Sequence, residues 1–312
     1  MKRSAVSVLI ALMALLAVVG GPAASASSEE YEVTSTELQI PSRDTEIPAT
    51  VVAPVAEADA TFPLVVLHHG HGGGRNENGG LARVADALAK AGIISIRFDF
   101  AGAGDSQEPF TELSYTTMLA DSDAALGYAL ANLPVDEERI GAFGYSEGSA
   151  VVAMQAGESD TPYKAVALMG PVANPMEVFA DSWGSDEAFT AYYEEAQANG
   201  FAGVTTPWGQ VQATSLLWFD ETLAADPAGD IASFVGPVLI VWGDAEQVIP
   251  YGEVEAYLAT TEGSATSTKV VTIPEADHGY GFYSDQPEVD ELLHSSLVDF
   301  FTGALAGEAG AG

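Results

Sequence analysis

Six short apolar runs, separated by segments with helical periodicity, constrain this chain more than any other feature. They are Phe62–His69 (FPLVVLHH), Ile93–Phe100 (IISIRFDF), Arg139–Tyr145 (RIGAFGY), Ala165–Met169 (AVALM), Pro237–Gly243 (PVLIVWG) and Lys269–Ile273 (KVVTI). A run that is apolar at nearly every position, bounded by Gly and Pro, suits a strand buried on both faces. Helices are predicted over 76–91, 111–132, 147–156 and 289–301. Strands alternating with helices give an α/β class, with a mainly parallel central sheet and helices on both faces. Ahead of it, Tyr31–Val55 alternates loosely and predicts an antiparallel strand pair.

The rhythm breaks once. More than 60 residues separate Met169 from Pro237, too many for one crossover. The stretch from about Pro175 to Phe234 is rich in Ala, Glu and aromatics (AFTAYYEEAQANG) and predicts an inserted helical cap. The expected organisation is a signal peptide over 1–26, core over 27–174, cap over 175–234, core again over 235–303 and a flexible tail over 304–312. The leader rests on basic Lys2 and Arg3, the apolar run Ala5–Val19 and a small-residue site at Ala24-Ser25-Ala26. That run is short for a membrane span of roughly 20 residues. A secreted or extracytoplasmic protein, with no stable membrane association after cleavage, is expected.

The chain carries 10 Lys and Arg against 45 Asp and Glu, a formal charge of −35. Nucleic acid and anionic membrane need a basic surface, so neither is an expected partner. Self-repulsion on this scale opposes compaction and is screened by salt, which suggests adaptation to a salty habitat. Such a protein melts higher in molar NaCl than in dilute buffer; a melting temperature indifferent to NaCl would contradict the idea. There is no Cys, which excludes disulfides, thiolate metal sites and a Cys nucleophile.

Gly144-Tyr145-Ser146-Glu147-Gly148 matches G-x-S-x-G, with an apolar strand before it and a predicted helix after it. That context marks a nucleophile elbow, in which a strained turn exposes the Ser146 hydroxyl. A serine needs a base, and after such an elbow the acid and then the histidine follow along the chain. Of five histidines only His278 and His294 come later. His294 falls in the last helix, whereas His278 lies in a loop after the strand KVVTI, at the edge where open α/β sheets place their sites. The acid is expected in WGDAEQVIP, after the strand PVLIV: Glu246 by position, with Asp244 as the alternative and Asp277 beside His278 a weaker one.

The run His68-His69-Gly70-His71-Gly72-Gly73-Gly74 follows the first central strand. The backbone N–H groups of His71 and Glu147 are the expected oxyanion donors, roles that leave their side chains free to vary. Three histidines in four residues also suit zinc, but no His-x-x-Glu or Asp-His element stands nearby, and no metal is expected. The spacing matches neither a dinucleotide fingerprint nor a P-loop. Asp105, in the glycine turn FAGAGDS, is expected to be a turn residue. Trp183, Trp208 and Trp218 fall in the cap, either as its own core or as walls of an acyl or leaving-group pocket.

Taken in order, HHGHGGG, FDFAGAGDS, GYSEGS, PVLIVWGDAEQVIP and ADHGY resemble the α/β-hydrolase superfamily. Within it the chain is similar to serine-aminopeptidase-like and feruloyl- or cinnamoyl-esterase-like hydrolases with a helical cap, over about Glu37 to Phe301. The resemblance implies a Ser146–acid–His278 triad, hydrolysis through an acyl-enzyme and no cofactor. The family pattern G-x-x-D-x-x-V-P carries Glu246 at its Asp position here, and Ser149 stands where the family commonly has Gly. The expected activity is that of a serine carboxylesterase acting on small to medium acyl or aromatic esters. The alternatives are a peptidase or amidase of the same fold, or a hydrolase-fold binding protein without activity.

Overall fold

The computed structural model describes residues 30–307, so the leader expected over 1–26 and the end of the tail expected over 304–312 lie outside the described residues. The chain opens with a hairpin, β1 (Val33–Ser42) and β2 (Thr45–Pro54), antiparallel from Ser42 opposite Thr45. The α/β rhythm follows as β3 (Phe62–His68), α1 (Gly80–Lys90), β4 (Ile94–Phe98), α2 (Tyr115–Asn132), β5 (Val135–Tyr145), α3 (Glu147–Ala156) and β6 (Ala165–Met169). The insertion comprises α4 (Pro175–Ser182), α5 (Asp186–Asn199), β7 (Phe201–Thr205), β8 (Val211–Ser215), α6 (Leu216–Ala224) and α7 (Pro227–Asp230). β9 (Val238–Gly243), α8 (Tyr251–Thr261), β10 (Thr268–Ile273) and α9 (Pro287–Ala304) complete the chain.

Eight strands form one sheet in the order β1-β2-β4-β3-β5-β6-β9-β10. β2 pairs antiparallel with β1 and β4, and the other neighbours are parallel. Period-two geometry explains the continuous apolar runs. On β3, Leu64 and Val66 face one core, with Met118 and Ala125 of α2, Val151 and Val152 of α3 and Tyr257 of α8. Val65 and Leu67 face the other, with Leu81 and Val84 of α1 and Leu293 and Leu297 of α9. Both faces are dry, so every position must be apolar. Fully burying such a side chain contributes about 1.5–3 kcal/mol. The edge strand β1 instead exposes most of its residues. α2 starts at a capping box, in which Ser114 Oγ accepts the Thr117 N–H and Thr117 Oγ accepts the Ser114 N–H.

The chain leaves β3 for β4 on one side and returns to β5 on the other. β3 and β5 therefore flank the point where strand order reverses, and open α/β sheets present ligand sites outside the carboxyl ends of such strands. The glycine-rich run follows β3 and the elbow follows β5.

Contrary to the helical cap expected from its composition, the insertion is not wholly helical. β7 and β8 form a separate antiparallel hairpin, with Ala202, Val204, Gln212 and Thr214 alternating inward. The turn sequence Thr206-Pro207-Trp208-Gly209-Gln210 explains it, because Pro and Gly favour reversal over helix. At its end α7 returns to the sheet layer under α3, and Ser233 Oγ donates to the Gly157 carbonyl at 2.8 Å.

His68, the last residue of β3, is fully buried, with Nδ1 3.0 Å from the Phe143 carbonyl and Nε2 2.6 Å from Ser122 Oγ. Burial pulls its pKa down from 6.5 to about 4. The unfolded chain thus takes up a proton that the folded chain refuses. This contribution to stability is complete above about pH 6.5, shrinks as pH falls and levels off near pH 4. Its size is about 3 kcal/mol. Urea denaturation of wild type and His68→Gln, near neutral pH and near pH 4, should show the variant losing less stability on acidification by about that amount.

Candidate active site

The elbow is built by β5 running straight into α3. Ser146 sits between them at φ 52°, ψ −127°, a left-handed conformation a side chain adopts only under strain. Its N–H donates to the Met169 carbonyl at 2.8 Å, which pins the turn to β6. The two motif glycines permit the crossing: a Cβ on Gly144 would strike the Gly148 carbonyl, and one on Gly148 would lie 2.5 Å from the His69 carbonyl oxygen. Ser149 has a local reason to be Ser. Its Oγ donates to the Ser146 carbonyl at 2.6 Å and accepts the Val172 N–H at 2.9 Å, stitching the elbow to the segment after β6.

His278 comes from the loop between β10 and α9. Its Nε2 lies 3.1 Å from Ser146 Oγ and its Nδ1 2.8 Å from Glu246 Oε2, so the structure brings these three residues together. An ionised Glu246 can only accept. Nδ1 therefore carries the proton, and Nε2 faces the serine as an acceptor. Burial of Glu246 acts to raise its pKa. The His278 hydrogen bond and charge, with the N–H groups of Val248 and Ile249, outweigh burial and hold the carboxyl below its ordinary value.

Asp244 is turned elsewhere: its Oδ1 accepts the Glu275 N–H at 2.6 Å, tying the ends of β9 and β10 together. Asp277 accepts the Gly279 N–H at 2.9 Å and shapes the histidine loop. Tyr145, the elbow residue before Ser146, donates from its hydroxyl to the His278 carbonyl at 2.8 Å and so positions that loop from below. His294, on α9, lies 3.6 Å from Asp290.

Among the described residues, neither the His71 nor the Glu147 backbone N–H donates to a protein acceptor. Their side chains are not free, however: His71 Nδ1 lies 2.9 Å from Glu147 Oε2. The neighbouring histidines face other partners. His69 Nδ1 donates to the Gly70 carbonyl at 2.8 Å, and Nε2 accepts the Phe100 N–H at 3.0 Å. Asp105 pairs with Arg75 at 2.8 Å, and Arg75 also binds the buried Asp99, joining the glycine loop to the turn after β4.

Above Ser146 lies a cleft of about 590 Å³. Its walls include Tyr145, Phe179, Trp183, Trp208 and Ile249, and His278 and Glu77 also line it. Trp208 is 54% exposed at the rim. Trp218 departs from the expected pocket role. It is 0% exposed, packs edge-on against Phe179 at 4.7 Å and does not line the cleft, because α6 turns it inward beneath the wall. Glu77 falls at the start of the helix predicted over 76–91, where sequence alone assigns it no role at the site. Its carboxylate is buried, with Oε1 accepting the Gly70 N–H at 2.9 Å and Oε2 accepting the Tyr283 hydroxyl. Among the described residues no three His, Asp or Glu side chains gather as metal ligands.

Residues 81–308 match the prolyl oligopeptidase family, which is most of the chain. The chain belongs to the prolyl oligopeptidase family. It is a hydrolase of the α/β-hydrolase fold, and solved structures share that fold. Est1E from Butyrivibrio proteoclasticus with ferulic acid bound is 21% identical at TM-score 0.71, covering 86% of this chain and 100% of that one. The Pyrococcus horikoshii acylaminoacyl peptidase is 15% identical at TM-score 0.66, covering 92% of this chain and 44% of that one. An uncharacterized 31.7 kDa protein of Escherichia coli, from the traX-finO intergenic region, is 33% identical over 94 residues. That match spans 30% of this family member and 32% of the relative.

Proposed function

We propose that this protein is an exported serine carboxylesterase acting on small to medium acyl or aromatic esters. The observation that carries the reading is the continuous Ser146–His278–Glu246 relay at the floor of an aromatic cleft. Ser146 Oγ attacks the ester carbonyl while His278 Nε2 takes its proton. The carbonyl oxygen becomes an oxyanion held by the His71 and Glu147 N–H groups. As the tetrahedral intermediate collapses, the C–O bond to the alcohol breaks, and His278 returns the proton to the departing oxygen. Water then attacks the acyl-enzyme, again giving a proton to His278, and Ser146 leaves with that proton as the acid is released. Glu246 fixes the tautomer and balances the imidazolium formed twice in each cycle.

The cleft supports a substrate of modest size. At about 590 Å³ it is within the usual range for small-ligand sites, and its aromatic walls suit a planar or short aliphatic acyl group. The Est1E complex holds ferulic acid on the same fold, which agrees with an aromatic acyl group. The leader expected over 1–26 supports export. Among the described residues no helix is long and apolar enough to cross a membrane.

Glu77 favours a second reading. A buried carboxylate lining the cleft offers an anchor for a substrate amino group, and that suits aminoacyl amides. A panel of p-nitrophenyl acyl esters, methyl ferulate and aminoacyl p-nitroanilides separates the two. Turnover of the esters and the ferulate, with kcat/KM at least about a hundredfold above the anilides, is the expected result. Turnover of anilides alone would replace it with the peptidase reading. Absence of turnover with retained small-molecule binding would leave a binding protein.

A further inference from the structure

The two residues proposed as oxyanion donors, His71 and Glu147, are joined to each other and to the insertion by their side chains. Glu147 Oε2 lies 2.9 Å from His71 Nδ1, and Glu147 Oε1 accepts the Trp218 Nε1–H at 2.9 Å. His71 Nε2 lies 3.0 Å from Gln212 Oε1. The His71 and Glu147 side chains are 5% and 1% exposed. Rings of Phe110, Phe179 and Trp218 surround the imidazole at 5.5, 4.9 and 5.5 Å between centroids. A carboxylate in such a place needs every partner it has, and removing one leaves an uncompensated buried group.

Sequence explains why a side-chain tether is needed. Within Gly70–Gly74, His71 is the one residue with a side chain, so the imidazole is the loop's one side-chain tether, beside the backbone bonds of Gly70 to Glu77 and of Gly73 to Gly104. Glu147, by contrast, opens α3 and is rigidly placed by the elbow. The chain from Glu147 to His71 thus joins the donor at the elbow to the donor on the glycine loop. At its two ends the partners come from the insertion, Gln212 on β8 and Trp218 on α6.

We infer that the Trp218–Glu147–His71–Gln212 chain is a positioning device for the oxyanion donors, through which seating of β8 and α6 sets the gap between the two N–H groups. This rests on the serine-esterase reading. Oxyanion donors act over a narrow distance range, and a displacement of about 1 Å costs about a hundredfold in rate. The insertion would then govern the chemical step as well as substrate fit.

The test uses Trp218→Phe, which keeps a ring and removes the N–H, and Gln212→Leu, which removes the acceptor at the other end. Turnover is measured per active site, titrated with a fluorophosphonate. Each variant should lose about 10- to 100-fold in kcat with KM within about threefold. Affinity for a trifluoromethyl ketone, which forms a tetrahedral adduct with the serine, should fall in parallel, while affinity for the product acid stays unchanged. A merely structural contact would lower the number of titratable sites and leave kcat per site intact; that result in both variants overturns the inference alone. Absence of ester turnover in the wild type overturns the esterase reading, and this inference with it.

Discussion

Ser146→Ala should reduce kcat for p-nitrophenyl esters by about 10⁵–10⁶-fold while leaving the fold and product binding intact. The size follows from the proposed mechanism, in which Ser146, His278 and Glu246 act as a unit. Without Oγ there is no acyl-enzyme, and His278 has no proton to take. The oxyanion donors and the cleft remain, so a residual rate above the uncatalysed one is expected. Removing the strained residue's hydroxyl leaves the backbone at φ 52° in place, held by the Met169 carbonyl, so melting should change little. Stopped-flow detection of a p-nitrophenolate burst in wild type and none in the variant checks the covalent step. A variant that retains more than about a hundredth of wild-type kcat would remove Ser146 from the chemistry.

Glu246→Gln should cost about 10⁴-fold in kcat, whereas Asp244→Asn should stay within a few-fold. A Gln amide can turn an N–H toward Nδ1 and favour the tautomer that carries its proton on Nε2. That tautomer cannot accept from Ser146, although no atom has moved far. Asp244 holds only the Glu275 N–H, and an Asn oxygen can accept the same bond. The two variants also differ in acid. The Glu246 carboxyl is held below 4.5 in the folded chain, so its contribution to stability is present above about pH 4.5 and is lost as pH falls through the lowered value. Glu246→Gln should lack that component, visible as a shallower loss of stability below pH 4.5 in chemical denaturation. Equal losses of kcat in the two variants, or a larger loss in Asp244→Asn, would move the acid from Glu246 to Asp244.

The sheet was legible because its signal is local and repeated. Ala165–Met169 and Glu147–Ala156 fall where their apolar pattern and flanking residues put them. Helix starts were less legible. α1 begins at Gly80, after a short turn over Glu77–Gly79, because the glycines beside Asn78 carry the loop further than hydrophobic periodicity suggests. The insertion was the least legible. Ala and Glu suggested helix throughout, yet the Pro207–Gly209 turn and its alternating flanks made a hairpin. Gln212, buried on that hairpin, could not be foreseen beside His71, since the contact spans 141 positions and depends on how the insertion folds back.

What the sequence alone determined about this protein is whatever a short window encodes: the apolar strands, the turn that must strain Ser146, and the loops after strand ends that carry His278 and Glu246. Tertiary structure alone decided which carboxylate faces the imidazole, which tryptophan meets the cleft and which sinks beneath it, and that His71 and Glu147 grip each other. The physical reason is directional. Periodicity says which side of an element is apolar, but a hydrogen bond needs an atom within about 3 Å at a set angle. Only the packed chain sets such distances, by bringing together groups more than a hundred residues apart.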